Sequence, residues 1–371
     1  MAKNKQIREP EGFATWTPSD GHLLDVRNLN VEFNTRDGKA KAINGASFHL
    51  DRGETLAILG ESGSGKSVTA QTIMGILDSP PASVTGGEIL FRGVDLLKLP
   101  EEQRRVVRGR KIAMIFQDAL SALNPVFTVG WQIAEMFRVH RGCSKAEAKD
   151  MAIKLMERVN IPGAAARYGN FPHQFSGGMR QRIMIAMSIA LDPEILIADE
   201  PTTALDVTVQ AQIMELLKEL QAETGTGLIL ITHDLGVVAD VADRINVMYA
   251  GRIVEQAEAK ELYASPAHPY SEGLLNSIPR LDQSTGQLVA IGGLPPNLTK
   301  IPEGCAFNPR CRYAQDVCRT GEVPPLVDLG GNRSSACHFV SELVAGTLQP
   351  NGLQVVTGIR PAVAEENGDQ A

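Results

Sequence analysis

The sequence predicts an α/β fold built on a mainly parallel sheet, followed by a smaller C-terminal region of different composition. Short, almost wholly apolar segments at residues 55–59, 195–198 and 228–232 suit strands that are buried on both faces. Helical patterns separate these segments, as the connections between parallel strands require. The composition changes after Pro266, where proline, glycine and then cysteine become frequent.

The remaining elements follow from apolar periodicity and turn residues. Strands are expected at 24–33, 46–50, 55–59, 88–91, 112–116, 195–198, 228–232, 244–249 and 252–254. Helices are expected from Lys66 onward and at 146–159, 176–191 and 209–223. Turns are expected at 36–38 and at 250–251, where the last two strands would form a hairpin.

Composition and charge exclude several classes of protein. The chain has 371 residues, 43% of them hydrophobic, and a formal net charge of −7 that argues against a nucleic-acid partner. No apolar run reaches the roughly 18 residues of a membrane-spanning helix, and no secretory segment stands near residue 1. We therefore expect a soluble, cytosolic protein that meets a membrane through a partner. A basic run at 104–111 is interpreted as a solvated helical face rather than a surface for nucleic acid or anionic lipid.

A glycine-rich loop follows the strand at 55–59 and opens a helix. It fits the pattern G-x-x-x-x-G-K-[ST], with the residues Gly60, Glu61, Ser62, Gly63, Ser64, Gly65, Lys66 and Ser67. Glycines let backbone N–H groups turn toward phosphate oxygens, and the helix N-terminus adds positive potential. We expect Lys66 to reach the β and γ phosphates and Ser67 to ligate Mg²⁺. The loop indicates a P-loop nucleoside triphosphatase without choosing among GTPases, kinases and motor ATPases.

The apolar strand at 195–198 ends in two carboxylates, Asp199 and Glu200. In isolation this pattern also fits an ordinary turn. Downstream of a phosphate loop, Asp199 suits the Mg²⁺ site, directly or through water. Glu200 suits the polarisation of an attacking water.

Residues 175–182, Phe-Ser-Gly-Gly-Met-Arg-Gln-Arg, resemble the signature of ABC-type ATPases, and they precede Asp199 by about 20 residues as in that family. Ser176 is a good helix N-cap, and Gly177 and Gly178 leave backbone N–H groups open to an anion. The resemblance covers residues 24–260. It implies a RecA-like P-loop cassette with an antiparallel β subdomain, an inserted helical subdomain and a small cysteine-rich C-terminal extension.

The resemblance also implies roles for residues that carry no signal alone. Gln117 resembles the Q-loop glutamine that senses Mg²⁺, His233 resembles the switch histidine at the γ phosphate, and 204–206 (Ala-Leu-Asp) resembles the D-loop. Phe33 is the candidate for stacking on adenine. The catalytic residues are therefore expected to be Glu200, His233, Lys66 and Gln117. The expected Mg²⁺ ligands are Ser67, Gln117 and Asp199. Further nucleotide contacts are expected from Phe33, from Asp206 and from the signature residues Ser176, Gly177, Gly178 and Gln181.

Cassettes of this family pair head to tail, so that the loop 60–67 of one meets the signature of the other across ATP. The chain carries one copy of each motif. The resemblance therefore implies a second ATPase subunit, identical or homologous.

Two further segments resemble the oligopeptide/dipeptide (peptide, nickel and opine) importers, and dipeptide-importer ATPase subunits in particular. Residues 121–130 contain the L-N-P-x-x-T-V pattern of those cassettes, and 265–271 (SPAHPYS) open their C-terminal extension. The resemblance implies an ATPase at the cytoplasmic face of the bacterial inner membrane that energises di- and oligopeptide import. Its partners would be two permease subunits and, indirectly, a peptide-binding protein.

Two alternatives to peptide import remain open. The cargo could be nickel, an opine, glutathione or a glycoside, because a separate binding protein and the permease recognise the transported molecule. A soluble ABC ATPase of repair or translation is disfavoured, since such chains usually carry two cassettes or a long coiled-coil insertion.

Four of the five cysteines, Cys305, Cys311, Cys318 and Cys337, fall within 33 residues. In a cytosolic protein such a cluster indicates metal binding before disulfides. Four thiolates can hold Zn²⁺ or a [4Fe–4S] cluster, and the absence of C-x₂₋₄-C pairs weighs against zinc. Resemblance to dipeptide importers favours the [4Fe–4S] cluster, free thiols remain an alternative, and His338 is expected to be a surface residue.

These observations predict the following domain organisation. We expect a flexible leader at 1–21, the ATPase cassette at 22–264 with its helical subdomain at about 118–190, the extension at 265–340 and a disordered tail at 341–371.

Overall fold

A computed structural model describes residues 13, 15–203, 205–277 and 291–350. The strands are β1 Leu24–Thr35, β2 Gly38–Leu50, β3 Thr55–Leu59, β4 Ala82–Phe91, β5 Val94–Asp95, β6 Ile112–Ile115, β7 Ile195–Asp199, β8 Gly227–Ile231, β9 Arg244–Tyr249, β10 Arg252–Glu258, β11 Val327–Gly330 and β12 Arg333–Ser335. The α-helices are α1 Lys66–Met74, α2 Glu101–Val107, α3 Ala119–Ala122, α4 Val129–Arg141, α5 Lys145–Arg158, α6 Ala164–Arg167, α7 Gly177–Ile189, α8 Val207–Thr224, α9 Leu235–Val241, α10 Ala259–Ala264, α11 Pro269–Asn276, α12 Asp316–Thr320 and α13 Val340–Val344. Short 3₁₀ turns occur at Pro18–Asp20, Pro172–Gln174 and Asn308–Arg310.

The central sheet has the strand order β11-β12-β10-β9-β3-β8-β7-β6. Its five strands from β9 to β6 run parallel, whereas β10, β12 and β11 are antiparallel to their neighbours. Every residue of β3, β7 and β8 is buried, as their apolar sequences predicted. The expected mainly parallel sheet and the hairpin after Tyr249 are therefore confirmed.

A second, antiparallel sheet of order β2-β1-β4-β5 packs over one face of the central sheet. Alternate residues of β3 enter the two cores: Leu56 and Ile58 face this second sheet, and Ala57 and Leu59 face the helices α4, α5, α7 and α8. Strand alternation thus divides the molecule into layers on either side of the central sheet. The expected antiparallel subdomain is confirmed.

The helices α3 to α7 form the insertion between β6 and β7. Local sequence sets their ends: Ser144 and Glu147 form a capping box at α5, and Gly142 ends α4 in the left-handed conformation. The Ser176 side chain accepts a hydrogen bond from the Met179 N–H and caps α7 as expected. These helices lie at 119–189, within the expected helical subdomain.

The C-terminal extension is joined to the central sheet rather than only appended to it. Strand β12 pairs with β10, with Glu255 opposite Ser335, and β11 pairs with β12. The Glu255 carboxylate accepts hydrogen bonds from the backbone N–H groups of Ala267 and His268, so the start of the extension is tied to the same strand.

The expected leader and tail differ from the structure where it describes them. Phe13 is 1% exposed and packs edge-on against Phe91, with ring centroids 5.2 Å apart. Helix α13 (Val340–Val344) extends into the segment expected to be disordered. Residues 1–12, 14 and 351–371 lie outside the described residues. Phe13 belongs to the core under the antiparallel sheet, and Leu343 and Leu348 pack against the other core, which composition alone did not reveal.

Two strands are longer than their apolar signal predicted. The expected strand at 46–50 is the second half of β2, and that at 88–91 is the end of β4. The extra residues mix glycine, small apolar and polar types without a clear alternation, and their pairing with β1 provides the strand hydrogen bonds.

The basic run is not wholly a solvated face. The Arg108 guanidinium donates hydrogen bonds to the carbonyl oxygens of Met74 and Gly75 and so closes the end of α1.

Within the described residues, no helix is long and apolar enough to cross a bilayer.

A half-buried arginine joins the two sheets. Arg92, in the turn between β4 and β5, donates from Nη1 to the Phe13 carbonyl oxygen at 2.9 Å and pairs through Nη2 with Glu194, which precedes β7. The side chains of Arg92 and Glu194 are 16% and 12% exposed. The contact therefore links the leader, the antiparallel sheet and the central sheet.

We expect Arg92→Met to lower the free energy of unfolding by about 2 kcal/mol, because it removes hydrogen bonds to a charged group and to a backbone carbonyl. Arg27→Met is the control, since Arg27 pairs with Asp25 at an exposed site and should change stability by less than about 0.5 kcal/mol. Urea unfolding followed by circular dichroism measures both. Equal midpoints for the two variants would contradict this role of Arg92.

Candidate functional site

The glycine-rich loop connects the end of β3 to the first turn of α1 and lies between other strands. A Cβ on Gly60 would lie 2.2 Å from the Met248 carbonyl oxygen on β9, and one on Gly65 would lie 2.5 Å from the Ala42 carbonyl oxygen on β2. Gly60, Gly63 and Gly65 all have positive φ, which favours glycine. The loop needs glycine at 60 and 65 for both space and conformation, and at 63 for conformation alone.

Polar groups inside the loop fit an anion. Lys66 is 6% exposed, and its Nζ donates hydrogen bonds to the carbonyl oxygens of Gly60 and Glu61 at 2.8 and 3.0 Å. Burial lowers the pKa of Lys66, and the carboxylates of Glu200, Asp199 and Glu61 oppose that shift. The Ser64 hydroxyl is buried without a hydrogen-bond partner among the described residues. Such groups suit the phosphates of ATP, which accept hydrogen bonds.

The expected Mg²⁺ ligands on two elements meet. The Ser67 hydroxyl on α1 donates a hydrogen bond to Asp199 Oδ1 at the end of β7, at 3.0 Å. Burial raises the pKa of Asp199, and the Ser67 hydrogen bond partly offsets that shift. A hydroxyl and a carboxylate oxygen are hard ligands of the kind Mg²⁺ prefers, so this pair fits the ion.

Glu200 is the centre of a polar cluster. Its carboxylate accepts hydrogen bonds from Gln117 Nε2 and from the Thr203 hydroxyl, both at 2.9 Å, and His233 Nδ1 lies 3.5 Å from Glu200 Oε1. Glu200 itself has φ of 46°, an uncommon conformation for a residue with a side chain. The sequence-predicted residues Gln117, Glu200 and His233 are thus brought together, and Thr203 is a member that the sequence did not indicate.

The signature lies at the N-terminus of α7, beside an open groove of about 770 Å³. Ser176, Gly177 and Gly178 line this groove together with Asp206, and no residue of 60–67 lines it. Asp206 also caps α8 by accepting from the Val209 N–H at 2.9 Å. Gln181 is 4% exposed, with its Nε2 buried and unpartnered among the described residues.

The placement of Phe33 is compatible with its expected role. It lies half-buried on β1 in register with Ala40 of β2, two residues before Ala42, whose carbonyl oxygen faces Gly65. The first residue of the expected D-loop, Ala204, lies outside the described residues.

All four clustered cysteines line one cavity: Cys305, Cys311, Cys318 and Cys337. Burial raises the pKa of Cys305, and it raises the pKa values of Cys311 and Cys337 to about 12, so the neutral thiols are favoured without a metal. His338, expected at the surface, instead lines this cavity with its Nε2 buried and unpartnered among the described residues. The pairing of β12 with β10 draws this segment inward.

Two residues of the extension reach the phosphate loop, and sequence analysis missed both. The Tyr270 hydroxyl accepts a hydrogen bond from the Glu61 N–H at 2.8 Å, and Arg310 binds the Glu61 carboxylate through two nitrogens. Tyr270 lies in the segment 265–271, and Arg310 lies between Cys305 and Cys311, yet no local pattern indicates a partner more than 200 residues away.

The fold and this site define a P-loop ATPase of the cassette type. A family model described as "ABC transporter" matches residues 43–203, and one described as "Oligopeptide/dipeptide transporter, C-terminal region" matches residues 254–318. A third, described as "AAA domain, putative AbiEii toxin, Type IV TA system", matches residues 170–239, which hold the signature and the strand ending at Asp199.

Curated relatives share most of the chain. The oligopeptide transport ATP-binding protein OppD of Salmonella typhimurium is 49% identical over 87% of this chain and 96% of its own length. OppD of Bacillus subtilis is 54% identical over 81% and 85%, and the dipeptide transport ATP-binding protein DppD of the same organism is 53% identical over 80% and 88%. The chain belongs to the ATP-binding protein family of ABC transporters, in the group with the oligopeptide/dipeptide C-terminal region. It is an ATPase of the transport-coupled type, which uses ATP and Mg²⁺.

Solved cassettes agree with the fold. The ATP-binding cassette MJ0796, in a dimeric post-hydrolysis state bound to ADP and Pi, has a TM-score of 0.58 and 27% identity, covering 64% of this chain and 99% of its own. CbiO1 of Clostridium perfringens, part of the transporter complex cbiONQ, has a TM-score of 0.56 and 31% identity, covering 66% and 91%.

The two signature glycines have different surroundings, which predicts different effects of alanine. A Cβ on Gly178 would lie 2.7 Å from Val209 Cγ1 on α8, whereas one on Gly177 would meet only Leu205 Cδ2 at 3.8 Å. We expect Gly178→Ala to destabilise the chain by about 1 kcal/mol or more through overpacking. Gly177→Ala should be neutral or stabilising by up to about 1 kcal/mol, since alanine is the better helix former. The urea midpoints of the two variants test this, and a larger loss for Gly177→Ala would show that the packing is wrongly assigned.

Proposed function

We propose that this chain is the ATP-hydrolysing subunit of an importer for di- and oligopeptides. The observation that carries the proposal is the similarity to relatives named as oligopeptide and dipeptide transport ATP-binding proteins, which extends through the C-terminal region beyond the cassette. The arrangement of Lys66, Asp199 and Glu200 supplies the chemistry such a subunit needs.

In the proposed mechanism, Glu200 polarises the water that attacks the γ phosphate. The hydrogen bonds from Gln117 and Thr203 orient its carboxylate. Lys66 and His233 stabilise the charge that develops on the phosphoryl oxygens. Ser67, Asp199 and Gln117 would hold Mg²⁺, which supplies charge neutralisation across the phosphates.

We further propose that two ATPase subunits, identical or homologous, pair head to tail. The phosphate loop of the same chain does not line the groove at Ser176. The phosphate loop of a partner subunit would therefore complete that site. The adenine would stack on Phe33. The solved dimeric cassette supports this arrangement.

The permease contact is proposed for the region 117–129. Val126 and Phe127 are 70% and 41% exposed, and Phe127 stacks on Trp131 with ring centroids 4.3 Å apart. These exposed apolar groups lie nine and ten residues after Gln117 in the sequence and suit a docking segment whose movement reaches the γ-phosphate site. The protein would thereby lie at the cytoplasmic face of the bacterial inner membrane, bound to two permease subunits and working with a peptide-binding protein.

We also propose that the four cysteines hold a [4Fe–4S] cluster, since all four line one cavity. The sequence has no C-x₂₋₄-C pair of the kind that zinc sites usually carry, so four thiols in one cavity favour the polynuclear cluster over zinc. Such a cluster, when bound, would supply electron transfer or a structural link.

Glu200→Gln should retain ATP and lower its hydrolysis by roughly 100-fold or more, because the amide cannot act as a base. ATP retention, phosphate release and uptake of labelled di- and oligopeptides would be measured on the complex assembled with its permease subunits. Glu157→Gln, an exposed change on α5, is the control and should keep wild-type rates.

Wild-type hydrolysis by Glu200→Gln would remove Glu200 from the role of base. Normal hydrolysis without any peptide uptake by the unaltered complex would instead reject the cargo.

Anaerobic purification should yield about four iron atoms per chain with broad visible absorption. Cys311→Ser should lower the iron content, whereas Cys143→Ser, which changes the cysteine outside the cluster, should not. Metal analysis and thiol titration provide the readout. One zinc per chain, or four reactive thiols without metal, would reject the iron–sulfur proposal and leave the ATPase assignment unaffected.

A further inference from the structure

Glu61, the residue after the first glycine of the phosphate loop, is held by the C-terminal extension. Arg310 Nη1 and Nη2 donate to the two carboxylate oxygens of Glu61 at 2.5 and 2.9 Å, and the Tyr270 hydroxyl accepts from the Glu61 N–H at 2.8 Å. The loop is therefore fixed at both its side chain and its backbone by residues outside the cassette core. A bidentate arginine–carboxylate pair also fixes orientation, because both groups are planar.

Arg310 is itself held rigidly. Its side chain is 4% exposed, its Nε donates to the Gly292 carbonyl oxygen at 2.9 Å, and its guanidinium lies 5.9 Å from the Tyr249 ring and 6.0 Å from the Phe307 ring. A guanidinium stays protonated at any pH at which proteins are folded, so the charge of Arg310 is permanent. Tyr270 is fully buried and packs on the same two rings.

The ion pair matters because of where Glu61 stands. Its backbone belongs to a loop that surrounds phosphates, and Lys66 Nζ donates to its carbonyl oxygen. A carboxylate here repels the phosphates of ATP unless a fixed cation offsets it. A carboxylate without Arg310 would also compete for the Lys66 ammonium, which the phosphates require.

We infer that Arg310 is a positioning residue for nucleotide binding, which neutralises Glu61 and keeps its carboxylate turned away from the phosphates. The inference rests on the proposed function as an ATPase subunit and adds a residue of the extension to its nucleotide site. Arg310 acts through Glu61 and touches no reacting atom. Its loss therefore affects ATP binding more than the chemical step.

The position of Arg310 depends on the cysteine segment. Arg310 precedes Cys311, and Phe307, beneath the guanidinium, lines the same cavity as the four thiols. An experiment on Arg310 therefore has to show that the cysteine segment remains intact, by its metal content and its number of reactive thiols.

The test combines four variants of the full chain in the assembled complex: Arg310→Met, Arg310→Lys, Glu61→Gln, and Arg310→Met with Glu61→Gln. Arg310→Met should raise the KM and Kd for MgATP roughly 10-fold or more with kcat little changed, since a charged partner is left unpaired. Arg310→Lys should have a smaller effect, because its ammonium keeps the charge without the fork. The double variant should return to within about threefold of Glu61→Gln, because no carboxylate remains to repel phosphate.

Arg312→Met is the matched control. Arg312 lies in the same extension, two residues after Arg310 in the sequence, and it pairs with Glu272 rather than with Glu61. It should leave the KM for MgATP unchanged.

Three results would overturn the inference: an unchanged KM in Arg310→Met, an equal KM increase in Arg312→Met, or no recovery in the double variant when metal content and unfolding midpoint match the wild type. If Arg310→Met fails to fold, Arg310→Lys decides: a smaller rise in the Kd for MgATP is expected, and a wild-type Kd would count against the inference. Failure of the unaltered complex to bind MgATP is a separate outcome, which would reject the proposed function itself.

Discussion

The structure depends on one constraint, the closeness of the phosphate-loop backbone to its neighbours. The Cα atoms of Gly60 and Gly65 face the carbonyl oxygens of Met248 and Ala42 with no room for a Cβ. Those oxygens belong to strands of two different sheets. The registers of both sheets must therefore be correct before the loop can present its N–H groups, and this makes the loop the point at which the two layers are aligned.

The catalytic groups gather for a topological reason. Parallel strands carry their carboxyl ends to one edge of the sheet, so the residues after β6, β3, β7 and β8 meet there. Gln117, Lys66, Glu200 and His233 occupy those four positions. Glu200 completes the cluster only through a left-handed backbone, and its N–H donates to the Ile231 carbonyl oxygen at 2.8 Å, which secures that conformation.

Sequence reasoning succeeded where the chemistry is local. The strand–loop–helix at β3, the two carboxylates after β7 and the cap at Ser176 are each specified within about ten residues. It failed where a partner is remote: the addition of β12 to β10 and the buried sides of Phe13 and His338 depend on segments far along the chain. Arg310 was visible as part of a cysteine motif, but its carboxylate partner was not.

The 209 and 249 residues that separate Glu61 from Tyr270 and Arg310 have a consequence for biosynthesis. A ribosome adding about 5–20 residues per second delivers the loop roughly 10–50 s before the arginine that neutralises it. During that interval the nascent chain holds an acidic phosphate loop without its counterion. A polypeptide truncated before residue 310 therefore lacks this part of its nucleotide site.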